Sequence, residues 1–250
     1  MVTVPDIRMK TDLNPAFILH RRPYRETSFL LDVFTRIYGR ISLIARGVRK
    51  KHSDKVELLQ PYQRLQLAWA GKSELMTLTH VELDKKVYSL TQDRLLTGFY
   101  LNELITRILH QHEAHPELFD IYDHTLGLLS KCTSKDQGFI RIFEKRLLES
   151  VGYGLVLDYD ADTGKKIEPE IIYYYQIERG PSAKLPDGQD YITICGQTLI
   201  ELESETIDST KTMQETKLLM RYVLQKYTGP KPLLSRELYK SFLSGTQPGY

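Results

Sequence analysis

The sequence has few of the residues that build disulfide frameworks or metal sites. Two of its 250 residues are cysteines, Cys132 and Cys195, and neither belongs to a CxxC pair. This scarcity excludes a disulfide framework, leaves no cysteine-based zinc site and indicates a reducing compartment. No apolar run approaches the roughly 20 residues of a membrane span, and the first ten residues lack the apolar core of a signal peptide. We therefore expect a cytoplasmic protein.

Short motifs of catalysis and nucleotide binding are also missing. Gly71-Lys72-Ser73 matches the end of a P-loop, but Gln66 stands where that motif requires its first glycine. The flanking segments look like strands, so we expect a hairpin turn here. No serine lies in a GxSxG elbow. The sequence therefore predicts a protein that is not an enzyme, with a spatially assembled hydrolase or transferase site as an alternative.

Two clusters resemble metal sites only in part. Residues 158–164 place three aspartates at alternate positions, as in a calcium loop, but Pro169 stands where the loop needs a bidentate glutamate. Residues 110–115 hold three histidines, without the HExxH spacing and without a cysteine nearby. We expect a solvated acidic turn at 158–164, with weak cation binding left open, and no metal site at the histidines.

The formal net charge of +2 hides an uneven distribution along the chain. Residues 1–79 carry a net charge of +7, and residues 80–250 carry −5. A basic front part joined to an acidic remainder suggests that the front part meets a polyanion. A solvated basic face without a partner is the alternative that charge alone does not exclude.

The front part has the pattern of short strands. Period-two alternation and turn residues between the apolar runs favour strands over helices. Five strands at this spacing predict a small barrel of the OB-fold type, whose face and loops bind oligonucleotides. The expected strands are residues 16–20, 28–35, 40–46, 64–69 and 75–79.

The remainder has mainly helical periodicity. Apolar residues recur at the 3.6-residue helical period in three middle segments and two late ones. Two short strands around a Gly/Pro-rich turn separate these groups. The expected helices are residues 93–111, 117–130, 136–151, 212–227 and 235–242, and the expected strands are 171–178 and 191–195.

The cations of the front part are concentrated in the turns of the predicted barrel. Lysine and arginine neutralise phosphates without reading sequence, and aromatic side chains stack on unpaired bases. Tyr24, Tyr38 and Tyr62 are candidates for stacking, whereas Trp69 is more typical of a core residue. The predicted nucleic-acid contacts are Arg21, Arg22, Arg25, Arg40, Arg46, Arg49, Lys50, Lys51 and Lys55.

Motifs spread in order over nearly the whole chain resemble the family of DNA repair protein RecO in its proteobacterial form. Each match is weak alone, and their order and spacing make the resemblance specific. The matching segments are residues 16–28, 31–35, 39–47, 59–62, 100–104, 117–119, 152–154 and 229–238.

The resemblance implies an α+β fold with four parts. These are an OB-fold barrel at 1–81, a helical domain at 82–157, a small β segment at 158–196 and C-terminal helices at 197–250 that pack on the helical domain. Many family members carry a four-cysteine zinc module in the third part. Only Cys195 is present there in this chain, so we expect a degenerate module without zinc, held instead by a strand at 173–175.

The resemblance also implies a function and partners. It implies a recombination mediator that binds single- and double-stranded DNA, anneals strands, partners RecR and helps to load RecA, without any cofactor. It implies association with the nucleoid and docking onto the acidic, apolar-ended tail of the single-strand-DNA-binding protein. The residues matched to that docking are Arg141, Lys217, Leu218 and Arg221, with Leu224 as a further apolar wall.

Two alternatives stay open beside this interpretation. An RNA-binding OB-fold protein would use the same basic loops, because phosphate contacts carry no sequence information. A protein-interaction adaptor would show no DNA affinity even at low salt.

Overall fold

The computed structural model describes residues 11–50, 55–91, 93–132, 138–188 and 190–244. The chain divides into two compact units. The first comprises Met1–Ser130 together with Leu234–Tyr250, and the second comprises Lys131–Leu233. The four-part division at residues 81, 157 and 196 stays a prediction.

The first unit contains the predicted five-stranded barrel. Its strands close in the order β1-β2-β3-β5-β4. Neighbouring strands are antiparallel except β3 and β5, which pair in parallel over Ser42–Ile44 and Leu75–Thr77. The strands are β1 (Asn14–Tyr24), β2 (Ser28–Thr35), β3 (Gly39–Ala45), β4 (Gln63–Ala70) and β5 (Leu75–Val87). The α+β class and the OB-like barrel are confirmed, and β5 runs six residues beyond the expected boundary at 81.

A bulge in β1 sets which of its side chains face the barrel interior. The pairing of β1 with β2 shifts between Ile18 and His20. Ile18 lies in the barrel core, whereas His20 is exposed and Arg21 is half-buried. One extra residue in a strand inverts the alternation of faces beyond it, so the bulge decides which arginine of the following pair reaches solvent.

Helices complete the first unit. They are α1 (Lys55–Leu58), α2 (Asp93–Ile108), α3 (Pro116–Lys131) and α7 (Leu234–Ser244). Phe17 and Phe34 point out of the barrel and pack against Phe119 and Tyr122 of α3, with ring centroids 5.1–6.3 Å apart. Aromatic pairs of this kind add about 1 kcal/mol each beyond the area they bury. They form a second core beside the barrel interior.

Glycine at position 39 lets the loop between α2 and α3 close against β3. Gly39 has φ +64°, and a Cβ there would lie 1.8 Å from the carbonyl oxygen of Glu113. The His112 N–H donates to the carbonyl oxygen of Arg40 at 2.9 Å, and Arg40 pairs with Gln111 in a β-bridge. No other residue type combines that backbone conformation with that approach.

The second unit combines helices with a small sheet. Its helices are α4 (Gly138–Ser150), α5 (Gly196–Glu203) and α6 (Thr210–Tyr227), and its strands are β6 (Ile172–Gln176), β7 (Gly180–Ser182) and β8 (Ile192–Cys195). The sheet has the order β7-β6-β8, so the strand expected at 173–175 is the central one. Tyr173 and Tyr175 are buried on it.

The structure adds three elements that the sequence pattern did not predict, α1, α5 and β7. The α5 helix follows β8 directly, and its N-cap residue, Cys195, makes no side-chain capping bond. The usual Ser, Thr, Asp or Asn signal is therefore absent from the sequence. The predicted start of the third helix at residue 136 lies outside the described residues.

Candidate nucleic-acid interface

A groove runs beside the turn that joins β1 to β2. Its cavity of about 860 Å³ lies among that turn, the end of β3 and the start of β5. Arg25, Arg46 and Lys50 line it together with one acidic residue, Glu26. Leu75, which is 40% exposed, belongs to its wall. We call this cavity the basic groove.

A second cavity lies next to the basic groove and shares Leu75 with it. It has about 460 Å³ and lies over the outer faces of β1, β2 and β3. Its polar side chains include both signs of charge, in contrast to the cationic majority in the basic groove. They are His20, Arg22, Asp32, Ser42, Glu74 and Gln111. We call it the polar cavity.

Four of the nine predicted contact residues line these cavities. Arg25, Arg46 and Lys50 face the basic groove, and Arg22 faces the polar cavity. All four are exposed. The ion pairs found among the described residues include none of them. No carboxylate of the described residues neutralises their charge, which is therefore available to an anionic ligand.

Two predicted contact residues, Arg21 and Arg40, instead donate hydrogen bonds to backbone carbonyl oxygens of the protein. The Nη1 of Arg21 donates to the carbonyl oxygens of Val56 and Leu59, both at 3.0 Å, and its guanidinium lies over the Phe29 ring. Burial lowers the pKa of Arg21 from its ordinary value. The sequence pattern placed this arginine with the solvent-facing cations because the bulge in β1 is not visible in it.

Arg40 is occupied in a similar way. Its Nη1 donates to the carbonyl oxygens of Thr106 and, at 2.8 Å, Leu109 at the end of α2, where a cation suits the helix dipole. Its Nε lies 3.2 Å from Asp32. The side chain is 15% exposed, so this arginine joins the barrel to α2 rather than facing the basic groove.

Three predicted contact residues remain. Arg49 is exposed, donates to the carbonyl oxygen of Arg25 at 3.2 Å and lies over the Phe29 ring, which ties its loop to the β1–β2 turn. Lys55 is exposed at the start of α1. Lys51 lies outside the described residues.

Of the three aromatic candidates for stacking, Tyr24 lines the basic groove. The Arg25 guanidinium lies 5.3 Å from its ring centroid. Tyr62 and Trp69 are buried, at 5% and 3% exposure, and the expectation that Trp69 is a core residue is confirmed. Tyr38 packs edge-on against Trp69 with ring centroids 5.2 Å apart. Tyr24 is thus the candidate that geometry favours for base stacking.

The residues predicted to hold a partner's tail lie in the second unit. Lys217, Leu218 and Arg221 are exposed on α6, and Leu218 is 61% exposed. Arg141 is paired at 2.8 Å with the buried Glu144, which follows it by three residues in α4. Leu224 is fully buried in the core and cannot form an exposed wall.

The acidic turn at 158–164 uses its carboxylates internally. Asp160 is 4% exposed and accepts the N–H groups of Asp162, Thr163 and Ala183 at 2.8–3.0 Å. Burial alone would raise the pKa of Asp160, and these hydrogen bonds outweigh it and lower that pKa. Asp162 accepts from Arg179 and Ser182. The turn is exposed apart from Asp160, and the hydrogen bonds to Asp160 and Asp162 make it a hydrogen-bonded hub, which the sequence pattern did not predict.

No cluster of three or more His, Cys, Asp or Glu side chains arranged for a metal occurs among the described residues. The segment at Gly71 is a turn between the antiparallel strands β4 and β5, as expected. Within the described part of the chain, no helix is long and apolar enough to cross a membrane.

Sequence comparisons assign the chain to a family. Residues 9–86 match the family described as Recombination protein O N terminal, and residues 90–237 match Recombination protein O C terminal. The chain is 40% identical over 230 residues to the DNA repair protein RecO of Nitrosococcus oceani, covering 92% of this chain and 93% of the relative.

Two further relatives agree. The chain is 40% identical to the DNA repair protein RecO of Nitrosospira multiformis, covering 94% of this chain and 97% of the relative. It is 39% identical to that of Dechloromonas aromatica, covering 94% and 98%. The prediction of a DNA repair protein that is not an enzyme agrees with these matches, and the chain belongs to the RecO family of DNA repair proteins.

Proposed function

We propose that this protein binds single- and double-stranded DNA through the barrel and anneals complementary strands. The observation that carries the proposal is the basic groove, where Arg25, Arg46 and Lys50 face one cavity without carboxylate partners among the described residues. A set of unpaired cations attracts phosphates. Binding of the phosphates releases the counterions of the DNA, and this release contributes to the affinity. Membership of a DNA repair family supports the same ligand.

The mechanism needs no catalytic group. Cations on the groove neutralise phosphates, so two strands that repel each other in solution can approach on the protein surface. Tyr24 offers a stacking surface beside these cations, which suits unpaired bases. Base pairing then supplies the free energy of annealing. Strands held in this way can also be passed to RecA, which is how the protein would help to load RecA.

The test is fluorescence anisotropy of a labelled single-stranded DNA oligomer over a salt series. The variant Arg25→Ala/Arg46→Ala/Lys50→Ala removes three charges from the groove. We expect at least a tenfold loss of affinity and a decrease of about 2 in the salt slope, at roughly 0.7 per phosphate contact.

The matched control removes three exposed lysines of the second unit, Lys165, Lys166 and Lys184. Its net charge equals that of the groove variant. Equal losses of DNA affinity in both variants would therefore show a general charge effect and contradict the assignment of DNA binding to the basic groove. Competition by RNA of the same sequence tests the alternative ligand. Absence of binding at low salt would leave a protein-interaction adaptor.

We also propose that α6 contributes to docking of the single-strand-DNA-binding protein's tail. Lys217, Leu218 and Arg221 are exposed and lie on one side of the helix, since Arg221 follows Leu218 by three residues and Lys217 by four. A cationic rim around an apolar side chain is complementary to an acidic peptide with an apolar end. RecR is proposed as a second partner, on the family resemblance alone.

The docking test is titration of a tail peptide. Leu218→Ser and Arg221→Ala should each weaken binding about fivefold or more, because each removes one half of the complementary pair. Lys211→Ala is the control on the same helix, because Lys211 is paired with Glu215 at 3.9 Å. Unchanged affinity in both test variants would place the docking site elsewhere.

A further inference from the structure

The polar cavity differs from the basic groove in the charge of its walls. Asp32 and Glu74 both line it, and its cation is Arg22. Two carboxylates repel a phosphate, whereas an uncharged base with hydrogen-bond donors tolerates them. A strand whose phosphates follow the neighbouring basic groove and contact Arg22 would therefore turn its bases toward the two carboxylates of this cavity.

The carboxylate of Asp32 is held in one orientation. Its Oδ1 is fully buried and lies 3.2 Å from Arg40 Nε. Arg40 is itself fixed by the carbonyl oxygens of Thr106 and Leu109. The side chain of Asp32 is 21% exposed, so Oδ2 is the carboxylate oxygen that solvent and ligands can reach. An acceptor fixed before the ligand arrives costs little ordering entropy on binding.

The rest of the polar cavity suits a flat heterocycle. Leu75 and Leu30 supply apolar surface. The Gln111 amide donates to the Ser42 hydroxyl at 3.2 Å, which orders the wall beside Asp32. A volume of about 460 Å³ falls within the range of small-ligand pockets. Apolar faces with a few fixed polar groups are the surroundings in which proteins distinguish unpaired bases.

We infer that the polar cavity is a base-selective subsite in which Asp32 accepts a hydrogen bond from an exocyclic amino group. The inference rests on the proposed DNA binding. An ionised carboxylate only accepts, so it favours cytosine, adenine and guanine, which carry amino groups. It disfavours thymine, whose N3–H lies between two carbonyl oxygens that the carboxylate repels. Asp32 is the specificity-determining residue of this subsite.

The test compares oligo-dC with oligo-dT of equal length, because both are pyrimidine strands with the same charge. Burial raises the pKa of Asp32 and Arg40 opposes the rise, so the titrations are run at pH 8, where a carboxylate is ionised. The full-length protein should bind oligo-dC about fivefold more tightly, the discrimination of a single good base contact.

The informative variant is Asp32→Asn. Its amide oxygen can still face Arg40 Nε at the 3.2 Å position of Oδ1, while its NH₂ group faces the cavity and donates to the thymine carbonyl that replaces the cytosine amino group. We expect the preference to reverse to oligo-dT, with the salt slope unchanged, a result that loss of structure does not produce. Glu74→Gln is the control that removes the cavity's other carboxylate and should keep the preference for oligo-dC.

The outcomes separate the two proposals. Equal binding of both oligomers by the unaltered protein and by Asp32→Asn overturns the subsite and leaves DNA binding by the basic groove intact. Absence of binding to either oligomer at low salt overturns the proposed function and the subsite together.

Discussion

The basic groove of the barrel and the acidic turn at 158–164 use dense charge in opposite ways. In the groove, Arg46 and Lys50 are exposed and form no ion pair with the described residues, so their charge is available to a ligand. In the turn, Asp160 and Asp162 accept hydrogen bonds from backbone and side-chain donors of their own unit. Charge satisfied inside the protein stabilises structure, and charge left unpaired serves binding.

The turn also cross-links its part of the second unit through Asp160. Asp160 connects residues 162–163 to Ala183, which immediately follows β7. A buried carboxylate with several N–H donors is a strong local cross-link, because hydrogen bonds to charged groups contribute about 1.5–3 kcal/mol. Such a hub can tie a loop to a strand in this chain, as a bound metal does in other proteins.

The largest expected effect contrasts two left-handed glycines, one at the start of β3 in the barrel and one in the acidic turn. Gly39→Ala places a Cβ 1.8 Å from a backbone oxygen, so we expect a loss of more than about 3 kcal/mol in unfolding free energy. Gly164→Ala, in the acidic turn, has φ +66° and nothing within 4 Å, so about 1 kcal/mol is expected. Urea denaturation followed by circular dichroism measures both. Equal losses of unfolding free energy in the two variants would show that the left-handed backbone conformation, and not the contact with Glu113, sets the cost at Gly39.

The second prediction tests the hub in the turn. Asp160→Asn replaces an ionised acceptor with an amide that satisfies fewer donors, so we expect local destabilisation of about 2 kcal/mol. Hydrogen exchange at the amides of Asp162, Thr163 and Ala183 measures it. Asp158→Asn, at an exposed position, is the control. DNA affinity should stay unchanged, and a parallel loss of DNA affinity would contradict the separation of the two regions.

The third prediction separates two adjacent arginines of β1. Arg21→Ala removes two hydrogen bonds to carbonyl oxygens near α1, so stability should fall by about 1–2 kcal/mol with little change in salt slope. Arg22→Ala should leave stability unchanged, weaken DNA binding about threefold and reduce the salt slope by about 0.7. Thermal unfolding and anisotropy on both variants measure this. The opposite pattern would reverse the assignment of the two side chains.

The smallest expected effect is a loss of local stability in the acidic turn at low pH. Because the pKa of Asp160 is lowered in the folded protein, its contribution to stability is complete above the ordinary value of 3.8 and is lost as pH falls through the folded pKa. Amide exchange in the turn, corrected for intrinsic rates, should therefore lose protection between about pH 4 and pH 2. Asp160→Asn should flatten that dependence. Protection that is constant in the unaltered protein would show that Asp160 is not the titrating group.

Local patterns predicted most of the fold. The strand β4 alternates Arg64 and Gln66 with the apolar Leu65 and Leu67, and helices such as α3 repeat at 3.6 residues, so their type is visible without tertiary contacts. The α5 helix was missed because it follows β8 without a capping side chain. Arg22, Arg25, Arg46 and Lys50 were predicted correctly as exposed cations near the barrel turns, but they were mixed with cations that the structure uses internally.

By itself, the sequence determined a basic barrel followed by helices, because periodicity and charge are properties of neighbouring residues. The tertiary structure decided which cations face solvent. Simple alternation from the inward-facing Ile18 would turn Arg22 inward and Arg21 outward, and the bulge at Leu19 reverses both. A bulge exists only in the pairing with another strand. For the same reason, the hydrogen bond that the Ala183 N–H donates to Asp160, 23 residues away in sequence, could be seen only in the folded chain.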